Sequence, residues 1–187
     1  MNLKDLFVNN EWTLFLDRDG VINKRIIDGY VTCWEEFEFL PGVLHAMQLL
    51  SGLFGRLIIV TNQQGIGKGL MTNNDLKHIH DKMLKEIERN GGNITGIYYS
   101  PYLDADNHDT RKPNSGMAMQ TKHEFPEINF IKSVMVGDSI VDMQFGKKLN
   151  MYTVYLMDET GERNHQLIDY QYKDLPDFTD HIIKTLT

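Results

Sequence analysis

Two carboxylates two residues apart, Asp17 and Asp19, end the short apolar run Leu14-Phe15-Leu16. Side chains of an extended chain alternate between its faces, so the pair can lean to one side while Arg18 points away, and Gly20 lets the chain turn. Two ionised carboxylates in one cleft repel each other by roughly 4 kcal/mol at about 4 Å for an effective dielectric near 20. A cation must then lie nearby, and a hard divalent ion such as Mg2+ takes one or two carboxylates with water and phosphate oxygens. Two solvated acids at a strand end would explain a lone Asp-x-Asp equally well, so the matching parts must come from the rest of the chain.

Three further groups supply candidates. Thr61-Asn62-Gln63-Gln64-Gly65-Ile66-Gly67-Lys68-Gly69 follows the β-rich run Arg56 to Val60. Its hydroxyl and free amides suit a phosphate oxygen, and its glycines permit close backbone approach; a flexible loop is the alternative. It is no Walker A loop, because Gly69 follows Lys68 where Ser or Thr is required. In Arg111-Lys112-Pro113 the ammonium can act as a point charge on phosphate and the guanidinium as a fork on a second group, against two solvated loop cations. Pro113 restricts the backbone of Lys112 and so where its side chain points. In Gly137-Asp138-Ser139-Ile140-Val141-Asp142 the two acids fall one helical turn apart. Asp138 can complete a metal site with Asp142 behind it, or cap a helix; capping explains one acid better than two.

The elements that must position these groups alternate strand and helix. Strands are predicted over Thr13–Leu16, Arg56–Val60, Ile94–Tyr99, Ser133–Val136 and Tyr152–Leu156. Helices are predicted from Pro41-Gly42 to about Leu53, from Thr72 to Asn90-Gly91-Gly92, and over Gly116 to about Glu124, Ile140–Leu149 and Asp177–Leu186. Residues 21–40 read as a loop or small hairpin over the first strand end. Alternation of this kind implies right-handed crossovers and a mainly parallel sheet between helices, a Rossmann-like α/β fold. Ligands of such sheets bind beyond the carboxyl ends of the strands, where all four groups fall.

Composition agrees. The 187 residues suit one domain spanning 1–187, with 41% hydrophobic and 24% charged residues and a net charge of -7. That balance argues against a nucleic-acid partner, which would call for a basic surface, yet local cations can still draw a small anion into one cleft. Cys33 is the single cysteine, which excludes an internal disulfide and a cysteine zinc cluster. No stretch is long and apolar enough to span a bilayer, and residues 1–11 have no signal-peptide apolar core. The expectation is a cytoplasmic protein, monomeric, with a small phosphorylated metabolite as its partner and no membrane association.

Together, Asp17-x-Asp19, Thr61, Lys112 and Gly137-Asp138-x-x-x-Asp142 resemble the four motifs of the haloacid dehalogenase superfamily of aspartate-nucleophile phosphatases, over residues 13–156. Asp17-Arg18-Asp19-Gly20-Val21-Ile22-Asn23, Thr61-Asn62-Gln63, Gly65-Ile66, Arg111-Lys112-Pro113 and Gly116-Met117 resemble the branch of heptose-bisphosphate and histidinol-phosphate phosphatases. Asp28-Gly29-Tyr30-Val31 and Phe37-Glu38-Phe39 look more like the heptose enzymes. The resemblance implies an aspartyl-phosphate route with Asp17 as nucleophile, Asp19 as acid and base, and Thr61 and Lys112 on the phosphate oxygens. It implies Mg2+ on Asp17, Asp19 and Asp138, with Asp142 behind them. It makes Arg18, Asp28, Gly29, Tyr30, Asn62, Gln63, Gln64 and Arg111 the candidate substrate contacts, Arg111 first among them. A heptose bisphosphate is the implied substrate, ahead of histidinol phosphate, a 3'-phosphorylated polynucleotide and a non-catalytic phosphate sensor. Intervals of 44 residues from Asp17 to Thr61 and 51 from Thr61 to Lys112 leave no room for a large cap domain.

Three departures stand out. The branch's zinc loop, Cys-x-His then Cys-x-Cys, corresponds here to Ser100, Tyr102, His108 and Thr110, so no zinc is expected and His108 should be a solvated loop residue. Ser139 stands where the heptose enzymes often have Lys. Gln64 and Lys68 replace a Ser and an Arg of their glycine loop.

Overall fold

A computed structural model describes residues 8–157 and 166–186. Its centre is the strand β1 (Thr13–Leu16), whose four residues are all buried. β1 pairs in parallel with β2 (Arg56–Asn62) on one side and with β4 (Ser133–Gly137) on the other, Leu14 lying opposite both Leu57 and Val134. With β3 (Gly96–Ser100), β5 (Tyr152–Leu156) and β6 (Tyr170–Tyr172), the sheet is six-stranded and parallel throughout, in the order β3-β2-β1-β4-β5-β6. The order reverses between β1 and β4, which opens a crevice at their carboxyl ends.

The pleat divides the core in two. Leu14 and Leu16 face a cluster with α1 (Val43–Leu53), α2 (Asn73–Arg89) and α5 (Leu175–Leu186), whereas Phe15 faces the other cluster with Ile58, Val60, α3 (Gly116–Glu124) and α4 (Ile140–Lys148). Helix ends follow local chemistry. Thr72 and Asp75 form a reciprocal capping box at the start of α2. At its end, Gly91 adopts φ +81° while Gly91 and Gly92 donate back to Glu88 and Ile87, a Schellman closure.

The observed elements differ from expectation in several places, β3 among them, which spans Gly96–Ser100 and not Ile94–Tyr99. β2 runs on to Asn62, so Thr61 and Asn62 lie in the strand rather than beyond it. The sixth strand was not expected: its three residues are too few to show an alternation, and it exists by pairing with β5. α5 begins two residues early, at Leu175, because Asp174 accepts the amide of Asp177 and Pro176 is tolerated in a first turn. Residues 21–40 carry one 3-10 turn, Trp34–Glu36, and bridges of Asn23 with Asp19 and Phe39; Val21, Ile22, Val31 and Phe37 pin the segment to the core.

Candidate active site

Asp17 stands directly after β1, with its amide donating to the Val136 carbonyl of β4. Its Oδ1 accepts from Lys112 Nζ at 2.9 Å, and the same ammonium reaches Asp142 Oδ1 at 2.5 Å. Asn62 fixes Lys112: its side-chain amide donates to the Lys112 carbonyl and accepts the Lys112 amide, at 3.1 and 3.0 Å. Asp142 is fully buried, one turn into α4, and its other oxygen accepts from the Ser139 hydroxyl at 2.5 Å. Ser139 thus begins a helix and orients an acid at the edge of the same cleft.

Asp138 follows β4, and its Oδ2 accepts from Arg25 at 3.2 Å. Gly20 makes this approach possible: it adopts φ +89°, and a Cβ there would fall 2.0 Å from Asp138 Oδ2. Oxygens of Asp17, Asp138 and Asp142 lie within 4.8 Å of one another. Burial, opposed by Lys112 and aided by Asp142, Asp138 and Asp19, pushes the Asp17 carboxyl up to about 7. Burial and then Asp142 also raise Asp138. Acids crowded at such cost, with oxygen donors only, fit a hard divalent cation. Lys112 and Ser139 occupy Asp142, which leaves Asp17 and Asp138 as the carboxylates to hold it.

Asp19 has a different environment. Arg18 Nη2 donates to both its oxygens at 2.9 Å, Asn23 to Oδ1 at 2.9 Å and Gln63 to Oδ2 at 2.8 Å. Burial alone would raise its pKa, but the Arg18 charge and these donors outweigh burial and hold it below the ordinary carboxylate range. Gln63 also donates to Thr61 Oγ1 at 2.9 Å, tying the hydroxyl of β2 to the acid after β1.

These groups line a cleft of about 460 Å³ whose walls also include Asp28, Gly29, Tyr30, Gln64, Lys68 and Arg111. Gln64 and Lys68 both donate to the Tyr30 hydroxyl at 2.8 Å. Arg111 is held by Asp104 and the Tyr102 carbonyl, each at 3.2 Å. A larger groove of about 1090 Å³ beside α3, lined in part by Tyr98, Met119 and His123, contains none of the carboxylates that follow β1 and β4.

Two expectations change. Arg18 does not line the cleft: it is wholly buried beneath it and grips Asp19. A guanidinium so close to a carboxylate is pulled inward by the charge it neutralises. His108 is not a freely solvated loop residue: its ring stacks on Tyr102 with centroids 3.4 Å apart and bonds Thr110, which in turn donates to Ser100. The four positions of the zinc pattern thus hold one another by stacking and hydrogen bonds. Sequence reasoning also passed over His80, and it gave Asn23, inside a quoted motif, and Arg25 no role of their own. Asn23 and Arg25 lie in a segment without periodicity, and only folding brings Arg25 to an acid 113 positions away. His80, which contacts Arg18, left one trace, a polar residue on the apolar stripe of α2.

Among known proteins, the family described as "Polynucleotide kinase 3 phosphatase" matches residues 16–175. A D-glycero-alpha-D-manno-heptose-1,7-bisphosphate 7-phosphatase of Campylobacter jejuni is 36% identical over 162 residues, which cover 87% of this chain and 90% of that protein. One of Mycobacterium bovis is 36% identical over 135 residues, covering 72% and 71%. The D,D-heptose 1,7-bisphosphate phosphatase of B. bronchiseptica, solved with magnesium and phosphate, superposes with a TM-score of 0.83 at 26% identity, covering 92% of this chain and 98% of that one. With Asp17, Asp19, Lys112 and Asp138 gathered at the reversal of a parallel sheet, this chain belongs to the haloacid dehalogenase-like phosphatases, hydrolases of phosphoric monoesters.

Proposed function

We propose that this phosphatase removes the 7-phosphate of a D-glycero-D-manno-heptose 1,7-bisphosphate. The observation that carries the reading is the distribution of charge in the cleft. Lys112 stands at the reacting centre, while Arg25, Lys68 and Arg111 line the same cleft and can meet a second anionic group. The names of the relatives above point the same way. Histidinol phosphate, with an ammonium in place of a second phosphate, gains less from those three cations.

In the mechanism, an Asp17 oxygen attacks phosphorus in line, and the bond from phosphorus to the ester oxygen breaks. Its electron pair leaves with that oxygen, which takes a proton from Asp19 and departs as the alcohol; Asp19, held ionised by Arg18 in the free protein, takes up that proton from solvent as the anionic ester enters the cleft and opposes its charge. Asp19, now a carboxylate, takes a proton from water as the water oxygen attacks the aspartyl-phosphate, releasing inorganic phosphate and restoring Asp17. Lys112 and Thr61 face the equatorial oxygens, where negative charge must be balanced as the bonds change. Asp17, Asp138 and the main-chain carbonyl of Asp19 would hold Mg2+, which would supply neutralisation of the negative charge on the phosphate. The same reading has the chain acting as one monomeric cytoplasmic domain without zinc, the last supported by its single cysteine and by the contacts that join Ser100, Tyr102, His108 and Thr110.

The test is phosphate release with Mg2+ from heptose 1,7-bisphosphate, histidinol phosphate and a 3'-phosphorylated oligonucleotide. Preference for the bisphosphate supports the assignment; preference for either other ester overturns it. Asp17→Asn should abolish turnover on every substrate, and wild-type rates in that variant would refute the nucleophilic role. Metal analysis of the purified protein should find no stoichiometric zinc.

A further inference from the structure

Arg18 is the largest wholly buried side chain among the described residues. A guanidinium shut away from water needs partners for its donors. Asp19 takes Nη2, and the partner of Nη1 is His80 Nε2, at 3.2 Å. His80 comes from α2, 62 positions further along the chain, and does not line the cleft. Arginine can only donate, so Nε2 accepts and the neutral ring carries its proton on Nδ1. The ring is 7% exposed, on the stripe formed by Leu76, Ile79 and Met83, with the edge of Tyr99 at 6.1 Å between centroids. Among the described residues Arg18 Nε has no hydrogen-bond partner, so there His80 is the one side chain beyond Asp19 that hydrogen-bonds the guanidinium and fixes how it is turned.

Asn23 and Gln63 each hold one oxygen of the Asp19 carboxyl, and Arg18 Nη2 alone meets both, so the guanidinium's orientation contributes to the direction of the carboxyl. A misdirected proton donor matters for one kind of ester only. An alkoxide is too basic to leave without a proton, whereas an aryl oxide stabilised by a nitro group departs as the anion.

We propose that His80 is a positioning residue of the reaction: through Arg18 it directs the Asp19 carboxyl, and its acceptor is needed for esters whose leaving oxygen must be protonated. This rests on the phosphatase reading above.

The experiment measures kcat/KM, which reports events up to departure of the leaving group, for a sugar phosphate and for 4-nitrophenyl phosphate, both with Mg2+. For His80→Leu, which fills the site without an acceptor, the value for the sugar phosphate should fall about 10- to 100-fold, part of the range general acids contribute. The value for the aryl ester should fall no more than about threefold. His80→Gln, which offers an acceptor at similar reach, should restore most of the lost activity. Should His80→Leu not fold, His80→Asn, whose acceptor stops short of Arg18, gives the same comparison. Equal losses on both esters would overturn the proposal, since a purely structural defect acts on both alike. No loss on either, or no rescue by glutamine, would overturn it too. If the wild type hydrolyses neither ester, the phosphatase reading itself fails and the proposal falls with it.

Discussion

Lys112 is the residue on which the charge balance of the cleft turns. It is wholly buried between Asp17 and Asp142, and Asp142 has no exposure at all. Burial would lower the Lys112 pKa, but Asp142 and then Asp17 outweigh it and hold the ammonium protonated above its ordinary range. Removing one partner of such a set leaves an uncompensated buried charge, which destabilises by about 3–5 kcal/mol. Lys112→Met should therefore lower the unfolding free energy measured by urea denaturation by an amount near that range, with a lower midpoint, and adding Asp142→Asn should recover part of it. Equal midpoints for wild type and Lys112→Met would show the pair to be solvated. That Asp17, Asp19 and Asp138 would share one rim was legible because each follows an apolar run; Thr61 stands near the end of another such run, and Lys112 was marked only by its place beside Arg111 and Pro113 in the loop after the third strand. Arg18 and His80 were not legible, because a pairing across 62 positions leaves no local pattern.

At the scale of elements, the turn from β4 into α4 explains how two acids of one segment take different places. Asp138 leaves the strand toward the cleft, and Asp142 folds back beneath it. Gly137 is what permits this: a Cβ there would lie 2.3 Å from Asp142 Cβ and 2.5 Å from its carboxyl carbon. Gly137→Ala must displace Asp142 or shift the start of α4, either of which strips Lys112 of a partner. The expected result is a loss of at least about tenfold in kcat, since a displacement near 1 Å can cost more, with α-helix content by circular dichroism retained. Unchanged kcat would mean that Lys112 keeps its place without Asp142. The strands and helices with clear periodicity were readable from sequence almost to their ends. β6 and residues 21–40 were not, because their conformation comes from what they pack against: β5 for the first, and for the second the core under Val21, Ile22, Val31 and Phe37.

For the whole molecule, two titrations of opposite sign meet in the same pH range. Metal binding should separate them. In the metal-free protein Asp17 is raised to about 7, so between its unfolded value near 3.9 and that point the folded state binds more protons, and stability falls as pH rises. A divalent cation keeps Asp17 ionised and removes this slope, and it adds stability by mass action, about 2.7 kcal/mol at 100 times its dissociation constant. Melting temperature should therefore rise with Mg2+ and fall again with EDTA; a temperature indifferent to both would mean that the acids hold no ion.

His80 acts in the other direction. Burial, then Arg18, lower it to about 3 against the smaller opposing pull of Asp19 and Asp81. Its unfolded value is near 6.5, so between those limits the unfolded chain holds the extra proton. The stability that His80 contributes is complete above about 6.5 and is lost as pH falls toward 3, with a limiting slope near 1.4 kcal/mol per pH unit. Comparison with His80→Gln under identical metal conditions cancels every other group. The stability difference between the two proteins, from denaturant midpoints, should be flat above pH 7 and shrink by about that slope from pH 6 to pH 4. A difference that stays flat down to pH 4 would mean that the folded protein admits a second cation beside Arg18, and that His80 is not held as a neutral acceptor.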